Sequence, residues 1–257
     1  DFTLFYKNAM DHNFDGMMGG WGSSASYSNP MQLWHTSSWV NKGSNFCGFG
    51  DAESDALIEE ANKVIECRGP DSKCFIEKKY DTYNLNFWFN RLSILDLSEE
   101  ANQPMYSKDF NTMVMFNGEI YNHFELRQDL ENQGLKFYTS HSDTETILAG
   151  LSYYGIDFVK KLRGQFAIAF FDEKESKLHL IRDRLGQKPL FYFYNQTSII
   201  FGSNLKSLIS LQDNYDLDET SLTEYLNYGV VTSPKTIFKD SFKVEPAEII
   251  TFQLDNG

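Results

Sequence analysis

Phe116-Asn117-Gly118-Glu119-Ile120-Tyr121-Asn122 is the stretch on which the reading of this chain turns. Upstream, Met113-Val114-Met115-Phe116 is an apolar, β-prone run and predicts a buried strand. Asn117-Gly118 is the strongest two-residue turn signal, so the strand is expected to stop there. Phe124 to Gln133 then predicts a helix. The expected product is a strand end that presents an amide, a glycine N–H and a carboxylate together. Such groups can stabilise an oxyanion and hold a cationic amine. A plain corner with a solvated Glu119 uses the same residues, so the flanking chain has to decide.

On the N-terminal side, Tyr83 to Phe89 alternates Tyr83, Leu85, Phe87 and Phe89 with Asn84, Asn86 and Trp88, which predicts a half-buried strand. It runs into Arg91-Leu92-Ser93-Ile94-Leu95-Asp96 and a loop through Gln103-Pro104. Further back, Leu57, Ile58, Ala61, Val64 and Ile65 fall on one face of a helix over 51–65, followed by a turn at Arg68-Gly69-Pro70-Asp71. On the C-terminal side, Ser142 and Glu145 have capping-box spacing before a helix to about Tyr154. A short helix is expected near Val159 to Leu162. Strands follow at Gln165 to Phe171, Lys177 to Arg182, Pro189 to Tyr194 and Ser198 to Phe201. Leu205 to Leu211 predicts a helix. Asp218 caps another to Tyr228, with Gly229 suited to its C′ position. Short β runs bracketed by helices indicate a layered α+β domain.

Composition narrows the function classes. The chain has 257 residues, 41% hydrophobic and 16% aromatic, enough for one large domain or two smaller ones. A formal net charge of -13 argues against nucleic-acid binding, which needs a basic face. No run approaches the roughly 18 apolar residues of a membrane span. The three cysteines, Cys47, Cys67 and Cys74, suit a reducing compartment and have no zinc-like spacing. The chain opens on Asp1-Phe2 and stops at Asn256-Gly257 inside a strand-like run, so a fragment is expected at both ends.

Three charged groups carry chemistry. Arg91 directly follows an aromatic strand, where a guanidinium can clamp a carboxylate bidentately. Glu119 and Asp143 add two carboxylates. One cation and two anions complement an α-amino-acid zwitterion, and Asn117 with the Gly118 N–H suits an amide carbonyl about to become tetrahedral. Taken singly, Arg91 reads equally as a surface ion pair and Asp143 as part of a helix cap. Together they outline a site for an amino-acid amide that lacks only a nucleophile.

Arg68-Gly69-Pro70-Asp71, Arg91-Leu92-Ser93-Ile94, Phe116 to Asn122, Ser142-Asp143-Thr144-Glu145, Gly164-x-Phe166-Ala167 and Arg182-Asp183-x-x-Gly186-x-Lys188-Pro189-Leu190-Phe191-Tyr192 occur in that order. The set resembles the glutaminase half, a class II glutamine amidotransferase, of glutamine-hydrolysing asparagine synthetases. The resemblance covers about residues 55–212, and 216–255 resembles the start of the synthetase half. It implies an N-terminal-nucleophile hydrolase fold, a four-layer αββα sandwich. It also implies hydrolysis of L-glutamine to glutamate and ammonia through a cysteinyl thioester, for ATP-dependent amidation of aspartate. Carried over by motif, Arg91, Leu92, Ser93, Ile94, Leu95, Asn117, Gly118, Glu119 and Asp143 contact glutamine, with Asn117 and Gly118 as oxyanion hole. The resemblance implies a cytoplasmic enzyme and allows a homodimer. No cofactor or metal is expected in this chain, because ATP and Mg belong to the synthetase half. Related domains feed ammonia to aminosugar, purine or β-lactam chemistry, and the 216–255 segment favours the asparagine type.

The nucleophile departs from the family pattern. The family opens on an N-terminal Cys-Gly-Ile-x-Gly whose free α-amine is the base. The nearest match here is Cys47-Gly48-Phe49-Gly50, but 46 residues precede it and it lies closer to Arg68 than the family spaces them. Residues 1–60, rich in Gly, Ser and Trp, resemble instead the C-terminal lobe of peptide- or nickel-type solute-binding proteins of ABC transporters: Trp21-Gly22-Ser23-Ser24, Trp34-His35-Thr36-Ser37-Ser38-Trp39 and Glu53-Ser54-Asp55-Ala56-Leu57-Ile58. The expected organisation is therefore a chimera. A loop-rich solute-binding-like segment covers 1–54. An amidotransferase domain lacking its first strand covers 55–212, and a truncated synthetase start covers 213–257. This chain is expected to have no synthetase and little or no glutaminase activity. The alternatives are a non-catalytic glutamine-binding remnant and a fragment of an extracytoplasmic peptide-binding protein.

Overall fold

A computed structural model describes residues 69, 71–91, 101–195, 198–211 and 216–254, together with the backbone of 45–48. Its strands are β1 (Asn45–Gly48), β2 (Ser72–Lys79), β3 (Asn84–Arg91), β4 (Met105–Ser107), β5 (Thr112–Ile120), β6 (Gly164–Asp172), β7 (Lys177–Arg182), β8 (Phe191–Tyr194), β9 (Ile199–Gly202), β10 (Ser241–Lys243) and β11 (Ile249–Gln253). They form two antiparallel sheets, β10-β8-β9-β1-β3-β2 and β11-β7-β6-β5-β4.

Side-chain alternation turns each sheet into a layer with two covered faces. Phe87, Phe89 and Phe201 of the first sheet meet Met113, Met115, Ala167, Ala169, Phe171, Leu178 and Leu180 of the second in the central core. The out-of-phase residues Val114, Phe116, Ile168 and Phe170 pack under α1 (His123–Asn132) and α2 (Asp143–Tyr154) through Leu126, Leu130, Ile147 and Leu151. On the far side, Phe191 and Ile200 pack under α3 (Leu205–Ser210) and α4 (Glu219–Tyr228) through Leu205, Leu208 and Leu222. The result is the four-layer αββα sandwich that the sequence leads one to expect. Each large apolar side chain withdrawn from water contributes on the order of 2 kcal/mol, so three clusters on four layers supply the driving force.

Several elements match their sequence signals. The second helix starts at the Ser142 cap, whose Oγ accepts from the Glu145 N–H at 3.3 Å. The fourth helix is capped by Asp218 and ends at Gly229 with φ +73°, a left-handed conformation that glycine adopts without steric cost. The helix expected near 159–162 is a 3₁₀ helix over Ile156–Lys161.

Other expectations need correction. Asn117-Gly118 is not a turn, because β5 runs straight through it: Asn117 pairs with Ala167, Gly118 with Phe166, and Ile120 with Gly164. Pairing along the whole of β6 outweighs the local turn preference, and the chain turns only at Tyr121-Asn122. The third strand is not half-buried, since Asn86 is 1% and Asn90 0% exposed. Its asparagines lie under the helical layer, where Asn90 Oδ1 accepts from Trp88 Nε1 at 3.0 Å. Strand β2, unread in the sequence, pairs with β3 along its whole length.

The first sheet does not lack a strand between β9 and β3. Asn45–Gly48 stands there, with Cys47 opposite Trp88 on one side and Gly202 on the other. No break in the sheets coincides with the boundary expected at 212, as β10 borders β8 and β11 borders β7. The helix expected over 51–65 lies outside the described residues. So does the solute-binding-like segment, apart from 45–48.

Candidate active site

The candidate residues converge at one end of the sandwich, where β3 and β5 both finish. Arg91 is the last residue of β3, in phase with Phe87 and Phe89 and so on the face toward the second sheet; it is 8% exposed. Gly69 and Asp71 brace this strand end. The Asp71 N–H donates to the Arg91 carbonyl at 3.0 Å, and Gly69 lies so close to the Asn90–Arg91 peptide that a β-carbon there would strike it.

Asn117 sits on β5 in phase with Met113 and Met115, again toward the opposite sheet, and is 3% exposed. Gly118 faces β6 at closer range than any side chain allows: a β-carbon would meet the Gln165 carbonyl and lie 2.8 Å from Phe166 Cα. Glu119 is exposed. Asp143 opens α2 and is 6% exposed; its Oδ2 accepts the Ile120 N–H at 3.1 Å. Burial pushes its carboxyl up to about 6, aided by the Glu119 charge and opposed by hydrogen bonds from the backbone of Ile120, Thr144 and Asp143. Beside Glu119, His123 is held below the usual histidine range, first by burial and then by the Arg127 and His141 charges.

A short turn joins these pieces. Arg91 Nη1 donates to Asn102 Oδ1 at 2.9 Å. The next residue, Gln103, accepts the Phe116 N–H through Oε1 at 2.6 Å and donates through Nε2 to Thr144 Oγ1 at 3.3 Å. The structure thus ties Arg91, the Asn117-Gly118 strand and the start of α2 together. Leu92, Ser93, Ile94 and Leu95, also expected in the pocket, lie outside the described residues.

Two further motifs hold this end of the fold. Glu145 does not reach back to its cap as a capping box would. Its carboxylate accepts from the Tyr138 N–H (2.7 Å), the Thr139 N–H (2.9 Å) and the Thr139 hydroxyl (2.5 Å), fixing the chain that leads into Asp143. Asp183, 1% exposed, accepts the N–H groups of Phe166, Leu185, Gln187 and Lys188 at 3.0–3.2 Å. Arg182 donates to the carbonyls of Lys188, Gly186 and Val244 at 2.6–2.8 Å. The Arg-Asp pair therefore moulds the 183–188 loop and pins it to β6 and to the residue after β10.

The profile of the family described as "Glutamine amidotransferase domain" matches residues 44–256. The chain belongs to this family. It is 37% identical over 204 residues to an asparagine synthetase [glutamine-hydrolyzing] 1 of Bacillus subtilis (strain 168), covering 79% of this chain and 31% of the relative. It is 32% identical over 226 residues to a putative asparagine synthetase [glutamine-hydrolyzing] 2 of Methanocaldococcus jannaschii, covering 80% and 43%. The chain spans about a third to two-fifths of the length of these relatives. Among solved structures, glutamine phosphoribosylpyrophosphate amidotransferase from B. subtilis, complexed with ADP and GMP, superposes with a TM-score of 0.53 at 14% identity. It covers 83% of this chain and 50% of that one, a likeness of fold.

In this glutamine amidotransferase domain the position of Cys47 matters most. Its backbone stands opposite Trp88 of β3 on one side and Gly202 of β9 on the other. Asn117 is in phase with the face toward the first sheet. The Cys47 backbone itself is held between β3 and β9. Its amide nitrogen also belongs to a strand that begins two residues earlier, at Asn45. Cys74, in β2, has its thiol pushed up by burial, away from thiolate character. Among the described residues no group of three or more His, Cys, Asp or Glu side chains gathers as a metal site would. No helix there is long and apolar enough to cross a membrane.

Gln103, Asn102 and the roles of Glu145, Arg182 and Asp183 were not legible in the sequence. Asn102 meets the Arg91 side chain, Gln103 joins Phe116 to Thr144, and Glu145, Arg182 and Asp183 bond main-chain groups of irregular loops, partners that no regular spacing announces.

Proposed function

We propose that this domain binds L-glutamine and is the glutaminase part of an asparagine-synthetase-type enzyme, supplying ammonia for ATP-dependent amidation of aspartate. The observation that carries the reading is the union of Arg91, Asn117-Gly118 and Asp143 at one end of the sandwich through Asn102 and Gln103. Arg91 takes the α-carboxylate of glutamine. Asp143, with Glu119 at the rim, takes the ammonium. The carboxamide then lies toward Asn117 and the Gly118 N–H, which receive the oxyanion as a thiolate adds to its carbon. Where the thiol belongs to a cysteine with a free α-amine, that amine takes the thiol proton and returns it to the leaving group, and collapse of the adduct expels ammonia. Water then cleaves the thioester to glutamate. ATP and Mg²⁺ serve, on this reading, a synthetase part outside these residues, and the enzyme works in the cytoplasm.

The second part of the proposal concerns turnover. With the Cys47 nitrogen in a peptide bond within β1, this polypeptide binds glutamine and hydrolyses little or none. Calorimetry with L-glutamine, paired with an ammonia-release assay on the wild type and Cys47→Ala, tests both parts. Binding that disappears in Arg91→Ala, without turnover, is the expected result. Ammonia release that is lost in Cys47→Ala would overturn the inactive reading, and absence of binding would overturn the function itself.

A further inference from the structure

The backbone ladder between β4 and β5 stops at Met105 opposite Val114. The same register, continued by two residues on each side, sets position 103 opposite Phe116. There the partner of the strand is a side chain: Gln103 Oε1 accepts the Phe116 N–H at 2.6 Å. The other end of the same amide donates to Thr144 Oγ1 in the first turn of α2 at 3.3 Å, and the residue is 6% exposed.

Successive N–H groups of an antiparallel strand point to opposite edges. The Tyr121 N–H, which donates to the Arg163 carbonyl at 2.7 Å, marks the edge toward β6. Those of Phe116 and Ile120 point the other way, to Gln103 and Asp143. The Gly118 N–H therefore lies on their edge, midway between an amide oxygen and a carboxylate, where β4 has no residue opposite it. One residue before Gln103, Asn102 holds Arg91.

The geometry points to Gln103 as a positioning residue of the glutamine site. Its side-chain amide extends the β4 edge past its last paired residue and joins β5 to the start of α2. This fixes the Gly118 N–H relative to Asp143, so that one donor faces the developing oxyanion while the carboxylate faces the ammonium. The inference rests on reading this edge as the glutamine pocket. Methionine at 103 has similar length but neither amide end. It leaves the buried Phe116 N–H without an acceptor and frees the strand edge from the helix.

Two-dimensional ¹H–¹⁵N spectra of the full chain, with and without L-glutamine, test this. In the wild type the Gly118 amide is expected to shift on addition of glutamine. In Gln103→Met the shift at saturation is expected to fall at least fivefold, and the Phe116 amide to exchange with solvent at least tenfold faster. Gln103→Glu keeps an acceptor for Phe116 and should restore both. Thr144→Val, which removes only the second contact, should fall between. Unchanged Phe116 exchange and an unchanged Gly118 response in Gln103→Met would overturn the assignment. If the wild type binds no glutamine, the pocket reading fails, while Phe116 exchange and the unliganded Gly118 shift still decide the positioning role. Should Gln103→Met not fold, Gln103→Glu and Thr144→Val carry the comparison.

Discussion

Gln103 and Asp143 accept hydrogen bonds from the same edge of one strand, Gln103 Oε1 from Phe116 at 2.6 Å and Asp143 Oδ2 from Ile120 at 3.1 Å, with Gly118 midway between them. One acceptor comes from the turn before β4 and the other from the start of α2, so three separate stretches of chain meet around a single backbone N–H. The placement of one main-chain donor thus depends on side chains some distance along the sequence.

Gly118→Ala should damage both fold and binding. The new methyl would press on the Gln165 carbonyl and on Phe166 Cα, which are backbone of the neighbouring strand and cannot rotate away. A loss of about 3 kcal/mol is expected, read as a lower urea midpoint, with glutamine binding lost even at temperatures where the variant stays folded. A midpoint equal to the wild type would show that β5 and β6 separate more easily than their register suggests.

Arg91→Lys retains the charge but not the planar fork. If Arg91 clamps the α-carboxylate, losing one of two charge-assisted bonds costs about 2 kcal/mol, or roughly 30-fold in affinity. Calorimetry with L-glutamine reads this directly. Affinity within threefold of the wild type would move the carboxylate elsewhere.

Asp143→Asn separates stability from function through pH. The Asp143 carboxyl titrates at about 6 in the folded chain, above its unfolded value, so the folded state holds the proton more tightly. Its contribution is therefore fully present below pH ~4, and the cost of holding the buried carboxylate ionised builds up between pH ~4 and 6 and is constant above that. Asparagine has no such cost and keeps an oxygen for the Ile120 N–H. The variant should match the wild type near pH 4 and exceed it by about 2 kcal/mol at pH 7 in urea unfolding. Wild-type affinity for glutamine should weaken as pH falls below 6, whereas the variant should bind poorly at every pH. A variant that retains the wild-type pH profile would remove Asp143 from the ammonium contact.

Asp183→Asn should unfasten the 183–188 loop. Four backbone N–H groups converge on this buried carboxylate. An amide can accept at only one of its two ends and turns two donors against its NH₂. About 2–4 kcal/mol of stability is expected to go, with faster amide exchange at Leu185, Gln187 and Lys188. Unchanged exchange at those three positions would place the support of the loop in Arg182 alone.

The layered fold was legible because it depends on short-range signals. Apolar runs such as Met113 to Phe116 and Gln165 to Phe171 announce strands, and Ser142 and Asp218 announce helix starts, since capping and alternation involve neighbours in sequence. The candidate residues Arg91, Asn117, Gly118 and Asp143 could be singled out by their chemistry, because a carboxylate clamp, an amide, a bare N–H and an acid are complementary to one kind of ligand whatever the fold. The strand Ser72 to Lys79 was missed because its alternation mixes lysine, cysteine and glutamate, and only pairing along β3 stabilises it as a strand.

By itself, then, the sequence determined the classes of element, the order of the motifs and the kind of ligand the charged groups suit. Tertiary structure alone decided that Asn117-Gly118 lies within a strand, since nine paired positions along β6 outweigh one turn preference. It alone decided that Gln103 and Asp143 flank the Gly118 N–H. It also set the Cys47 backbone in the middle of the first sheet, between β9 and β3. The physical reason is the same in each case: strand register and side-chain-to-backbone hydrogen bonds are settled by groups distant in sequence, and a local pattern carries no record of which partner will arrive.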